Sequence, residues 1–260
     1  MNIKTLNNQT IEADLPVEFA GRNLLALPAL IDPHVHFRTP GGEHKEDWLS
    51  GAPAAIAGGV TTVFDMPNNT PVITNQKTWN LKQVKINEQL KKVDIPLRYY
   101  LYLGTTGENN EEIKKLKNSV IGLKLFMGAS TGNLLVDDNK KQKEIFKLAA
   151  ELNLALAVHA EDEFEIQSQK SKVKNPTVKD HSKIRTRAAA IKAVSQAIEM
   201  AKEFGTKLYI CHVSTKEEIE LIKKAKKTGV EVYAEVTPHH LFLTENNLKH
   251  LGTLGKMNPP

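Results

Sequence analysis

Seven short apolar runs recur between residues 29 and 236 of this 260-residue chain, each parted from the next by a longer stretch of mixed polarity. They are Ala29–His36, Val60–Met66, Leu97–Leu103, Gly122–Phe126, Ala155–His159, Lys207–His212 and Val230–Val236. Runs this short and this apolar suit strands buried on both faces, as in a parallel sheet covered by helices. The stretches Lys45–Ala57, Thr78–Lys91, Glu111–Lys117, Asn139–Leu152, Arg185–Phe204 and Lys216–Thr228 carry helical patterning. Such alternation leaves a doubly wound open sheet or a (β/α)8 barrel. No glycine-rich phosphate or dinucleotide loop follows the first run, and Gly58-Gly59 precedes a strand, so it reads as a turn.

Polar side chains at the strand ends favour the barrel. His34 and His36, Asp65 with Asn68, Lys124, His159, His212, and Glu235 with His239 all fall at the C-terminal ends of their runs. A barrel gathers its chemistry on that face from many strands, whereas an open sheet concentrates it at one switch point. The fold class expected is therefore α/β, a (β/α)8 barrel over residues 28–260 with seven of its eight strands. Residues 1–27 are expected to form a partial β appendage, with strand-like fragments at Gln9–Glu12 and Val17–Ala20. A barrel short of one strand has two raw edges. The chain is accordingly expected to be a piece of a longer protein, or to be closed by something else.

Composition removes several function classes. Lys and Arg number 35 against 30 Asp and Glu, a net charge of +5, and aromatics are only 6%. Nucleic-acid binding wants a basic stripe with interleaved aromatics, so the lysines read as solvated helix faces and no nucleic-acid partner is expected. A mild positive field suits a small anionic substrate. No apolar run approaches the roughly 20 residues of a membrane span, and the N-terminus shows no apolar signal region. The single cysteine, Cys211, excludes an intrachain disulfide framework, which points to a reducing, cytoplasmic compartment.

His34-Val35-His36 is the strongest local motif. Residues i and i+2 of a strand share a side, so both imidazoles can converge on one metal ion; the same pair also reads as ordinary polar residues at a loop start. His159 and His212 each end an apolar run, where a structural histidine is the ordinary reading. Four imidazoles from three strands are too many for one open zinc site, so two metals fit better, and two-metal sites suit hydrolysis. Lys124 lies within the apolar Gly122–Phe126 run. Buried beside dications its amine would be neutralised and could take up carbon dioxide as a carbamate, an anionic bridge; otherwise it snorkels its head out of the barrel end. Arg38, two residues after His36, suits bidentate carboxylate capture or a surface position. Asn68, in Met66-Pro67-Asn68-Asn69-Thr70-Pro71, reads equally as a turn residue. Cys211 is expected to point away from the side of His212 and to pack as an apolar residue.

Together these residues resemble dihydroorotase, in the amidohydrolase superfamily of metal-dependent (β/α)8 hydrolases. The resemblance runs from Ile31-Asp-Pro-His-Val-His-Phe-Arg38 through Glu43–Trp48, Ala57–Pro71, Gly122–Gly132, Val158-His-Ala-Glu161, Ile210–Thr215, Glu235–Leu241 and Lys256-Met-Asn-Pro-Pro260. It implies a zinc pair, with His34 and His36 on the more buried ion, His159 and His212 on the second, and a carbamylated Lys124 between them. It implies that Arg38 and Asn68 hold a substrate carboxylate and that Asn258 contacts a pyrimidine ring. The implied reaction is the reversible hydrolysis of L-dihydroorotate to N-carbamoyl-L-aspartate in pyrimidine biosynthesis, with a homodimer as the family's ordinary state. The family's acid/base aspartate ends the eighth strand, beyond Pro260, so no catalytic residue is assigned here and the chain alone is expected to have little activity. Two alternatives stand beside this reading. One is an allantoinase- or hydantoinase-like cyclic amidohydrolase. The other is a non-catalytic scaffold for a partner enzyme such as aspartate carbamoyltransferase, although such relatives lose metal histidines and this chain keeps four.

Overall fold

A computed structural model describes residues 1–129 and 133–260; Ser130, Thr131 and Gly132, which end the Gly122–Gly132 motif, lie outside the described residues. Among the described residues, ten strands fall into two sheets. The first joins β1 (Asn2–Thr5), β2 (Thr10–Glu12) and β3 (Leu25–Ala26) in the order β2-β1-β3. The second holds β4 (Leu30–Val35), β5 (Val60–Asp65), β6 (Arg98–Gly104), β7 (Gly122–Phe126), β8 (Leu156–His159), β9 (Leu208–Ile210) and β10 (Val232–Ala234). These seven lie side by side in chain order, and every neighbouring pair is parallel. The architecture is thus the expected α/β barrel wall, seven strands wide.

Helices return the chain between strands: α1 (Trp48–Ala57), α2 (Gln76–Val93), α3 (Asn110–Leu116), α4 (Asn139–Glu151), α5 (Glu163–Lys170), α6 (His181–Ile184), α7 (Arg187–Phe204) and α8 (Lys216–Lys227). Short side chains start them. Asp47, Asn75, Asp138, Asp162, Thr186 and Thr215 each accept a backbone N–H of the first turn, supplying a partner that an uncapped helix lacks. Gly205 ends α7 in the left-handed region, which glycine adopts without a Cβ clash. After β10 come two short helices, α9 (Pro238–Phe242) and α10 (Leu248–Leu251). Among the described residues no helix is long and apolar enough to cross a membrane.

Strand alternation sorts the interior into two layers. Leu101, Leu103, Leu123, Leu125, Leu156, Val158, Leu208 and Ile210 face the helices, in one large core with Trp48, Ile86, Phe146 and Ala193. The residues between them, Tyr102, Ala157, Tyr209 and Cys211, pack with Phe64 and Met66 in a smaller cluster on the inner side. Helix α7 turns a face of Ala189, Ala193, Ala197 and Ala201 inward, so its backbone can sit close to its neighbours.

Two local expectations change. Val17–Phe19 is a 3-10 turn, not a strand: Pro16 precedes it at φ −53°, and the Phe19 amide returns to Pro16 O at 3.0 Å. Helix α5 was not visible in the apolar pattern, because it buries only Glu163 and Ile166 and is set by its Asp162 cap. Phe146 is fully buried between α4 and the sheet. Phe146→Ala should lower stability by about 3–5 kcal/mol, read as a fall in the urea midpoint.

Candidate active site

The fold brings the expected metal and substrate residues around one space. His34, His36, Arg38, Asn68, Lys124, His159, His212 and Asn258 all line a cavity of ≈ 430 Å³. His34 and His36 leave the end of β4 on the same side, with their Nε2 atoms 3.1 Å apart. His159, ending β8, turns Nδ1 to within 3.1 Å of His212 Nε2. The rings of His34 and His212 lie 5.5 Å apart between centroids, which brings the two pairs together.

Lys124 does not snorkel. Its side chain is 1% exposed, and Nζ lies 3.0 Å from Cys211 Sγ and 5.0 Å from the Phe126 ring centroid. The expectation for Cys211 is thereby corrected. It packs on the inner side with Met66, Tyr102 and Ala157, as its place two after Tyr209 requires. His212 breaks the alternation instead: at φ 40° it leaves the strand in the left-handed region, which swings its ring into the cavity beside Cys211.

The electrostatics suit a cation held by neutral imidazoles. Burial, reinforced by His34, Arg38 and Lys124, holds His36 well below its ordinary value. Burial with His159 and Lys124 does the same for His212. At His159 and His212, both held below their ordinary value, two facing nitrogens 3.1 Å apart offer a donor set that a divalent metal takes. His34 differs: burial opposes its charge, but Cys211 and Glu235 outweigh this and lift it to about 9, so a metal must displace a proton there.

Carboxylates behind the rings orient them. Glu161 Oε2 lies 2.7 Å from His159 Nε2, which leaves Nδ1 for the cavity. Arg185 clamps the same carboxylate, with Nε 3.0 Å from both oxygens, and its Nη2 donates to Ala129 O at 2.6 Å. Burial alone would raise Glu161, yet His159 and Arg185 hold it down at about 2. On the other side Glu235 contacts His34 Nδ1 and accepts from Tyr209 Oη at 2.5 Å. Donor atoms of His34, Cys211 and Glu235 lie within 4.8 Å of one another. Neither Glu161 nor Glu235 was assigned from sequence, although each stands at a strand end. Arg185 carries no local signal, since it reaches Glu161 only through the fold.

Arg38 and Asn68 form a separate corner. Arg38 sits at φ 56°, and its Nη1 is buried with no hydrogen-bond partner among the described residues. Asn68 is buried, and its side chain bonds His36.

A parallel barrel wall with buried histidines at its C-terminal mouth defines an amidohydrolase-type fold. Residues 22–218 match the family model described as Dihydro-orotase-like, and the chain belongs to that family. It is 38% identical over 260 residues to a dihydroorotase of Methanosarcina mazei, covering 95% of this chain and 54% of that protein. It is 37% identical over 233 residues to the multifunctional protein CAD of Squalus acanthias, covering 90% of this chain and 9% of that one. Among solved structures it is similar to L-hydantoinase from Arthrobacter aurescens, with a TM-score of 0.83 and 25% identity over 92% of this chain and 53% of that one. A dihydroorotase from Campylobacter jejuni is similar at a TM-score of 0.62 and 25% identity, over 88% of this chain and 59% of that one. The chain spans about half the length of the curated dihydroorotases it matches. Enzymes of this family are generally metal-dependent, and the histidine set fits that requirement.

Glu161→Gln keeps the shape but loses the charge that orients His159. Divalent-metal affinity should fall about 10–100-fold, measured by competition with a chelator, with the fold unchanged by circular dichroism.

Proposed function

We propose that this protein carries out the dihydroorotase reaction, the reversible hydrolysis of L-dihydroorotate to N-carbamoyl-L-aspartate, at this cavity. The observation that carries the reading is Arg38. Its buried, unpartnered Nη1 stands in the same cavity as the imidazole cluster. A ring substrate bearing a carboxylate next to its scissile amide matches that pairing of a guanidinium with a metal-type site.

The cofactor is proposed to be a pair of zinc ions, the first at His34 and His36, the second at His159 and His212. When bound, such a pair activates water near neutral pH and polarises the amide carbonyl. Lys124 is proposed as the bridge. Its amine nitrogen would add to the carbon of carbon dioxide and lose a proton, giving a carbamate whose two oxygens would serve as anionic ligands; its side chain is buried at the floor of the same cavity. Glu161 and Glu235 keep His159 and His34 turned to the cavity. Arg38 and Asn68 hold the substrate carboxylate and so fix which carbonyl faces the histidines. Asn258, which lines the same cavity, contacts the ring. The division into an appendage at 1–27 and a barrel at 28–260, and a cytoplasmic setting for the one buried thiol, belong to the same proposal.

A hydantoinase-type reading has one observation in its favour, the TM-score of 0.83 to L-hydantoinase. Arg38 separates the two, because hydantoin and allantoin rings lack the carboxylate it would grip. Calorimetry on the zinc-loaded chain should find L-dihydroorotate binding tenfold or more tighter than 5,6-dihydrouracil or allantoin. Arg38→Met should remove that preference, as one charged hydrogen-bonded contact is about 1.5–3 kcal/mol. Equal affinity for all three ligands in the native chain would sink the reading. Lys124→Ala should hold fewer than two zinc ions per chain by metal analysis; two retained zincs would rule out the carbamate bridge.

A further inference from the structure

Lys82 and Asp65 form an ion pair that the chemistry above leaves unused. Both side chains are fully buried, with Lys82 Nζ 2.8 Å from Asp65 Oδ2. Lys82 also donates to Met66 O at 2.7 Å and to Asn69 Oδ1 at 2.8 Å, so three acceptors surround its ammonium. The other Asp65 oxygen accepts the amides of Phe37 and Met66, each at 3.1 Å. Those amides begin the two loops that carry Arg38 and Asn68. The loops also touch each other: Thr70 N donates to Pro40 O at 3.1 Å, and a methyl added at Gly41 would fall 2.1 Å from Thr70 O. Two turns further along α2, Gln89 Oε1 accepts from Thr39 Oγ1 at 3.2 Å and from Trp48 N at 2.9 Å. One helix face therefore tethers both loops.

The charges add a second consequence. The negative charge of Asp65 acts on Arg38 as well as on Lys82. With Lys82 neutralising Asp65, the guanidinium of Arg38 keeps its charge for an outside anion, in keeping with its unpartnered Nη1.

We infer that Lys82 and Asp65 are positioning residues for the anion clamp: they pin the two loops bearing Arg38 and Asn68 at one point, and Lys82 keeps Asp65 from capturing Arg38. This rests on the dihydroorotase reading for the identity of the anion, but not for the coupling of the loops.

The test uses the zinc-loaded chain, Lys82→Met, and Asp65→Asn combined with Lys82→Met. Three quantities are read: zinc content, affinity for L-dihydroorotate against 5,6-dihydrouracil, and amide hydrogen exchange in segments 37–42 and 66–71. In Lys82→Met zinc content and dihydrouracil affinity should hold within twofold, dihydroorotate affinity should fall tenfold or more, and exchange should rise in both segments together. The double variant leaves no unpaired buried charge. It should recover most of the dihydroorotate affinity while exchange stays raised, and it keeps the test open if the single variant fails to fold. Unchanged exchange in both variants, or an equal loss of both ligands, overturns the inference. A native chain without preference for dihydroorotate overturns the dihydroorotase reading instead, and the exchange data alone then judge Lys82.

Discussion

The carboxylate of Glu235 joins the two outermost strands of the main sheet. β4 and β10 stand at opposite ends of the seven-strand order, yet His34, from β4, meets Glu235 just past the end of β10. The same carboxylate accepts the Tyr209 hydroxyl and the His212 amide. A sheet held in this way must curl, and its curl carries the C-terminal ends of β4, β7, β8 and β9 toward one centre. The convergence of four imidazoles and Lys124 follows from that closure. A flat sheet of the same strands would space its ends at roughly 4.8 Å per strand, too far for rings on β4 and β9 to come within 5.5 Å between centroids.

A mouth filled with buried polar groups costs desolvation, and the structure meets that cost in two buried networks. Glu161 with Arg185 backs the His159 side, and Asp65 with Lys82 backs the Arg38 side. Neither pair argues for stability by itself, since a buried ion pair often does no better than apolar residues of the same volume. Their effect lies in position. Glu161 gives both oxygens to Arg185, Asp65 gives one oxygen to two backbone amides and faces Lys82 with the other, and each cation reaches a backbone carbonyl of a neighbouring loop. Surface pairs such as Lys114 with Glu111 fix nothing comparable, being exposed and screened by solvent.

Period-two and period-3.6 patterns are local, which is why the barrel wall and most of the cavity were legible in the chain. His34 and His36 needed only strand alternation, and His159 only the end of an apolar run. His212 reaches the cavity by a route that strand alternation does not show: its φ of 40° turns it inward, and that same turn misled the expectation for Cys211. Arg185 and Lys82 were out of reach, because their partners lie 24 and 17 positions away and meet them only after helices fold back on the sheet. The 3-10 turn at Val17–Phe19 was misread because Val17 is apolar but exposed, so no packing supports the strand its composition suggests.

Shape and substrate point to different relatives, and chemistry has to arbitrate. The backbone resembles L-hydantoinase more closely than the Campylobacter jejuni dihydroorotase, at TM-scores of 0.83 and 0.62. A barrel scaffold supports many substrates by changing its loops, so this ranking speaks to strand and helix placement and not to the ligand. The specificity proposed above would reside in the loops after β4 and β5, where Arg38 is held at φ 56°, a conformation that costs of order 1–3 kcal/mol and persists only where neighbours enforce it. Asp65 enforces it through the Phe37 amide, Gln89 through Thr39, and the close contact of Gly41 with Thr70 leaves the loop little room. A surface arginine needs none of these restraints. A guanidinium aimed into a histidine-lined cavity does, and it is this local construction, more than the overall shape, that supports a carboxylate-bearing ring as the substrate.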